Sequence, residues 1–187
     1  MSTLAVDTNA LAAGTWGIDV SHSDVSFSVR HMMVSKVRGS FTKFDGAIHI
    51  DEDPLKSSVE ATVDLDSIDT RDEKRDAHLV SADFFEVEKY PTMTFRSTAV
   101  RTTAHGYVVD GELSLHGVTR PVELSLEFNG VSTDPWGGTR AGFSAETELN
   151  RRDFGIDISM PLDGGGVVVG DKVKVQLEIE AVLQPGA

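Results

Sequence analysis

The feature that most limits what this chain can fold into is a period-two alternation of apolar and polar residues that recurs almost from end to end. Its clearest instance is Val173, Val175, Leu177, Ile179 and Ala181, interleaved with Lys174, Gln176, Glu178 and Glu180. Successive side chains of a strand point to opposite faces, so such a stretch has one buried and one solvated side. The same pattern runs through Val25, Phe27, Val29 and through Val59, Ala61, Val63, Leu65. It returns in Met93 and Phe95, in Tyr107, Val109, Leu113 and Leu115, in Val122, Leu124, Leu126 and Phe128, and in Phe143, Ala145, Thr147 and Leu149. Turns at Asp51–Pro54, Ala104–Gly106, Asn129–Gly130 and Gly164–Gly166 separate these runs, and about eight antiparallel strands follow.

One run changes phase. Val37, Gly39 and Phe41 carry the apolar face on odd positions, and Phe44, Gly46, Ile48 and Ile50 carry it on even ones. A strand that changes parity needs an extra residue, which predicts a bulge or sharp bend at Thr42–Lys43. Long strands bent by bulges and by Gly39 and Gly46 suit a sheet that closes into a barrel better than a two-sheet sandwich, which is the alternative. One stretch departs from the alternation. Thr70 with Glu73 reads as a capping box for a short helix over 72–79, and Ser81 as the cap of a further turn holding Phe84 and Phe85, ended by Tyr90–Pro91. The fold class is therefore all-β, an antiparallel barrel with one short helical segment within 70–86. Residues 1–13 read as a flexible arm, 14–183 as the barrel and 184–187 as a tail.

Charge and residue usage exclude several functions. A net charge of −13 repels phosphate backbones and anionic membranes, so nucleic acid is not an expected partner. With no cysteine there is no disulfide, thiol nucleophile or thiolate-held zinc. No apolar run reaches the roughly eighteen residues of a membrane-spanning helix, and the start lacks the basic-then-apolar pattern of a secretory signal, which gives a cytoplasmic expectation.

Residues with catalytic or metal-binding potential are present without the spacing that chemistry needs. His22, His31, His49, His78, His105 and His116 show neither H-x-H nor HExxH, so no metal site is expected. His22-Ser23-Asp24 contains the residue types of a hydrolytic triad, but neighbours on a strand point to opposite faces and there is no G-x-S-x-G elbow. Arg75–Asp76 and Arg152–Asp153 read as local ion pairs, with an arginine or His78 near a ligand head group as the sharper reading. Asp163-Gly-Gly-Gly and Gly170-Asp171 read as turns, not phosphate cradles.

A set of short motifs is also familiar: Trp16-Gly-Ile-Asp19, Val25-Ser-Phe-Ser-Val-Arg-His-Met32, Ser35-Lys-Val-Arg-Gly-Ser-Phe41, Phe44-Asp-Gly46, Ser67-Ile-Asp-Thr70, Arg75-Asp-Ala-His-Leu79, Ser81-Ala-Asp-Phe-Phe85, His116-Gly-Val-Thr-Arg-Pro-Val122, Arg152-Asp-Phe-Gly155 and Val169-Gly-Asp171. In this order, over 14–183, the chain resembles the YceI-like family of polyisoprenoid-binding, lipocalin-like proteins. The resemblance implies an extended barrel whose tunnel holds a long isoprenoid, for example a quinone tail, often in a homodimer. Periplasmic relatives carry a signal peptide, a segment not seen here.

On the residues alone, the inward apolar positions could simply fill a core. The resemblance makes them a ligand-binding wall of Val25, Phe27, Val29, Phe41, Phe95, Leu113, Leu115 and Phe143, with Leu79 and Phe154 from the motifs. Met32 and Met33 would line a mouth, where flexible thioethers adapt to an apolar guest. Of the adjacent Phe84 and Phe85, one would close the barrel end and the other line the tunnel, with His78 at the head group. The expected opening lies near 31–36 and 75–86. The expected activity is binding, transport or storage without catalysis, metal or added cofactor. The alternatives are a lipid-modifying enzyme of cyclase or isomerase type using His31, His78 or Asp76, and an interaction protein with a packed barrel.

Overall fold

The computed structural model describes residues 11–32, 34–158 and 169–186. Met33, residues 1–10 of the expected arm, Ala187 of the tail and the turn expected at Gly164–Gly166 lie outside them. The chain forms β1 (Gly14–Ile18), β2 (Asp24–His31), β3 (Ser35–Phe41), β4 (Phe44–Ile50), β5 (Ser58–Asp64) and β6 (Ile68–Asp69). A single helix, α1 (Glu73–Leu79), comes next. Then follow β7 (Thr92–Thr103), β8 (Gly106–Leu115), β9 (Val118–Thr133), β10 (Thr139–Asn150) and β11 (Val169–Leu183).

These segments make an eight-stranded closed antiparallel barrel. β1 with β2, β3 with β4 and β5 with β6 are each one long strand interrupted partway, and every strand pairs with its sequence neighbours. Closure comes from β11, whose free edge pairs with β2 (Phe27 opposite Val175) and, farther along, with β1 (Trp16 opposite Leu183). Closing the ring satisfies the edge groups that a sandwich would leave bare.

The expected bend at Thr42–Lys43 is where β3 gives way to β4. Two further breaks stand beside it, a 3-10 turn at Val20–His22 and another at Leu65–Ser67. All three lie at one level of the barrel. Thr42 N–H donates to Ser67 O (3.3 Å), Lys43 N–H to Ser67 Oγ (3.0 Å) and Asp64 N–H to Lys43 O (2.9 Å). On the other side of the same level, Glu180 N–H donates to Ser23 Oγ (3.0 Å), tying the first break to β11. Three adjacent strands therefore bend together and curl that side of the sheet. Gly39 serves a second need, because a β-carbon there would stand 2.5 Å from Phe27 Cζ; the missing side chain makes room for an inward ring.

Helix α1 begins at Glu73, one residue later than expected, and its cap lies two residues past Thr70. Asp72 is its N-cap and accepts from Lys74 N (3.0 Å) and Arg75 N (3.1 Å). Thr70 is instead 3% exposed and bridged to the helix. Asp76 Oδ1 accepts its N–H (2.9 Å) and its hydroxyl (2.5 Å), while Arg75 Nη2 donates to its carbonyl (2.6 Å). Ser81 opens the further turn expected there, with Phe84 N–H and Glu86 N–H both donating to its carbonyl. Nor do Arg75–Asp76 and Arg152–Asp153 pair internally. Consecutive residues in a helical turn diverge: Arg75 and Asp76 meet on Thr70, and Arg152 Nε donates to Asp171 Oδ1 (2.9 Å).

Candidate lipid-binding cavity

Two clusters of packed side chains occupy the barrel, and a hollow lies between its walls. One cluster sits under α1 and the 80–91 turns. It buries Phe41, Leu65, Ile68, Phe84, Leu115, Phe154 and Ile156, with Phe27, Leu79 and Phe85 half-buried against them. The rings of Phe27 and Phe41 are 5.6 Å apart, and Phe85 meets Phe41 edge-on at 6.2 Å. Among the described residues this end is a packed plug. At the opposite end Trp16, Ile50, Phe128, Ala141, Phe143 and Ala181 pack together, and Trp16 Nε1 donates to Ala12 O (3.0 Å). Leu11 packs against this second cluster, so the last residues of the expected arm lie on the barrel.

The hollow has a volume of about 240 Å³. Val122, Leu124 and Leu126 of β9, Ala145, Thr147 and Leu149 of β10, and Val175, Leu177 and Ile179 of β11 form much of its wall, facing Phe44, Val63, Met93 and Phe95. Along β9, Val122, Leu124 and Leu126 are half-buried rather than fully buried, as expected where side chains border a void instead of other side chains. Among the described lining residues none is charged, and the polar groups are those of Ser57, Ser58, Thr147 and Tyr107. Such a wall can bury alkyl or alkenyl surface.

Of the residues singled out in the sequence, Val25, Phe95, Leu113 and Phe143 stand on the cavity wall. Phe27, Phe41, Leu79, Phe84, Phe85, Leu115 and Phe154 belong to the plug. Val29 is half-buried between Val37 and Val173, and Met32 is 45% exposed at the β2–β3 tip. His78 is on the outside, its Nε2 2.8 Å from Asp83 Oδ2 and its ring edge-on to Phe84 at 5.0 Å. No described residue of 31–36 or 75–86, where the opening was expected, lines the cavity. The cavity instead meets the surface at the other end, where the exposed Pro54 and Ser58 line it together with Leu11 and Ser57. The aliphatic wall of β9 to β11 was visible as alternation but not as cavity, because parity tells which side chains point inward and not whether anything fills the space before them.

Outside the barrel, Asp19, His22 and Glu180 converge. The first break brings Asp19 and His22 together, with His22 Nδ1 2.9 Å from Asp19 Oδ2. Arg140 Nη1 donates to Asp19 Oδ2 (2.7 Å) and Glu180 Oε2 (2.8 Å), and its Nε donates to Asp134 Oδ2 (2.9 Å). The Arg140 guanidinium, helped by the Ser21 hydroxyl and the His22 ring, holds the Asp19 carboxyl well below the usual carboxylate range. Arg140 Nη1 thus bridges two of these three groups, Asp19 and Glu180.

The model of the YceI-like domain matches residues 16–181. The chain belongs to the YceI-like family. A UPF0312 protein of Vibrio cholerae is 44% identical over 140 residues, which is 74% of each chain. The crystal structure of the Campylobacter jejuni YceI protein superposes with a TM-score of 0.70 at 25% identity, covering 99% of this chain and all of that one. A domain from Saccharophagus degradans described as polyisoprenoid-binding shares the fold, with a TM-score of 0.69 at 15% identity over 92% of this chain and all of its own.

Proposed function

We propose that this YceI-like chain carries or stores a long polyisoprenoid or similar apolar lipid in its barrel and performs no chemistry on it. The observation that carries this reading is the uncharged, almost wholly apolar wall of a hollow that the protein's own side chains do not fill. Each methylene-sized group of a guest that enters such a space contributes about 0.8 kcal/mol. Part of that gain offsets the lost freedom of guest and protein. A tail of several isoprene units can therefore bind tightly through area and shape alone. The absence of charge among the described lining residues favours a neutral head, such as a quinone or alcohol, over a phosphorylated one whose desolvation they would not compensate. The polyisoprenoid-binding description of the Saccharophagus domain agrees with this choice of ligand.

The residues considered for catalysis stand away from the hollow. Asp76 is engaged with Thr70, His78 is on the outer surface with Asp83, and neither they nor His31 line the cavity. The test is native mass spectrometry of the purified protein, followed by organic extraction. Expected is one apolar lipid per barrel, retained in His31→Ala, His78→Ala and Asp76→Asn with no new product. A bare mass that takes up no prenylquinone on incubation would overturn the reading, and a lipid converted by wild type but not by these variants would replace it with an enzyme.

A further inference from the structure

The sequence holds two tryptophans, and the fold treats them oppositely. Trp16 is 1% exposed inside the barrel, whereas Trp136 is 86% exposed at the tip of the β9–β10 hairpin. That tip is closely built. Asp134 Oδ1 accepts from Trp136 N (2.9 Å) and Gly138 N (2.8 Å), and Asp134 N–H donates to Gly138 O (2.8 Å). Gly137, at φ 86°, supplies the left-handed residue the turn requires. The other oxygen of Asp134 is held by Arg140, which is itself anchored on Asp19 and Glu180 of the barrel. The hydrogen bonds that fix the turn are thus tied to the wall, while the indole they present makes little use of its own fold.

Strand register places this tip at the open end. Arg140 lies opposite Val182, Leu183 opposite Trp16, and Trp16 opposite Ile48, just before the turn whose Pro54 and Ser57 line the cavity. Leu55, 43% exposed, projects from that same turn. We propose that this end of the barrel docks on the interfacial layer of a zwitterionic lipid bilayer, with Trp136 as its principal anchor and Leu55 as a second. Indole is suited to that layer, having an apolar body and one N–H donor. The two apolar tips sit on separate hairpins instead of forming one continuous patch, which suits a fluid surface better than a protein partner. Asp51, Glu52 and Asp53 flank Leu55 and add to a chain charge of −13, so the surface they tolerate is a zwitterionic one rather than an anionic one. The proposal rests on the carrier reading above and adds to it the surface from which cargo would pass without crossing water.

The protein carries its own reporter. Because Trp16 is already buried, a blue shift of tryptophan emission on adding phosphatidylcholine vesicles reports Trp136 entering the interface. Expected are that shift, co-flotation with the vesicles, and a loss of at least about tenfold in partitioning for Trp136→Ser with unchanged far-ultraviolet circular dichroism. Replacing part of the phosphatidylcholine with phosphatidylglycerol at low salt should weaken binding. Unshifted emission, or equal flotation of wild type and Trp136→Ser, would overturn the proposal. So would a blue shift that grows with protein concentration in the absence of lipid, since the tip would then face a second copy. Lipid extracted from purified wild type separates this result from the carrier reading: a loaded barrel that does not float sinks only the docking, and an empty barrel that floats through Trp136 sinks only the carrier.

Discussion

Phe95 lays its ring over Gly111 of the neighbouring strand, in the space a β-carbon there would take. The pair lets a large aromatic lie flat on the inner wall without closing the hollow. Gly111→Ala should therefore drive the ring off its rotamer or into the cavity, costing about 1–3 kcal/mol of stability and lowering the lipid load. The double variant Gly111→Ala/Phe95→Ala should recover part of the loss. Chemical denaturation of the two single variants and the double one measures the coupling, and strictly additive effects would contradict the contact.

Filling the hollow should compete with its guest. Ala145 lies on the wall opposite Leu126 and Leu177. Ala145→Phe should leave the barrel folded and reduce extractable lipid, whereas Leu177→Asp should cost several kcal/mol because a carboxylate there has no partner. Mass spectrometry alongside thermal melts separates the two effects. Full lipid occupancy in Ala145→Phe would place the guest elsewhere.

The buried Thr70 is the joint between α1 and the barrel. Thr70→Val keeps the shape but removes the hydroxyl that donates to Asp76 and accepts from Arg75 Nε. A loss of about 1–3 kcal/mol in urea unfolding is expected. An unchanged midpoint would show that the helix is held by the packing of Phe84 and Leu79 alone.

Acid should act on the outer network first. Asp19 is held below the ordinary carboxylate range by Arg140, so the native state resists a proton that the unfolded chain accepts near pH 4. The resulting stabilisation is complete above about pH 5 and falls as the pH drops through and below 4. Asp134, held low by the Gly138 N–H and by Arg140, adds in the same direction. Asp19→Asn should lower stability at neutral pH and flatten the decline between about pH 5 and 2, as read from melting temperatures across that range. An equally steep decline in the variant would assign the acid sensitivity to other groups.

The strands and their inward faces were legible because a half-buried strand must alternate, and the bend at Thr42–Lys43 was legible because the phase of Phe41 and Phe44 cannot be reconciled otherwise. The same signal existed at the other two breaks. Trp16 and Ile18 are even where Val25 and Phe27 are odd, and Leu65 is odd where Ile68 is even. Short turns hid it, since each leaves few residues from which to read a phase. The division of the interior was not legible at all. Phe27 and Phe95 carry the same pattern on their strands and both pack against the plug, yet only Phe95 also borders the hollow. Alternation within a strand does not record which inward residues meet packed side chains on every side and which meet a void. The network around Arg140 was missed for a related reason, since Asp19, the Asp134–Arg140 hairpin and Glu180 come from three distant parts of the chain.

The continuous ring completed by β11 and β1 has a mechanical consequence. A sandwich can gape along an unpaired side and drop a long molecule broadside, but a ring of hydrogen-bonded strands has no such slit. A long guest held in this barrel would have to travel lengthwise, sliding past β9, β10 and β11 one segment at a time. Its residence time would then be governed by how much of its length must be withdrawn, so that longer tails would leave more slowly even when their heads are identical.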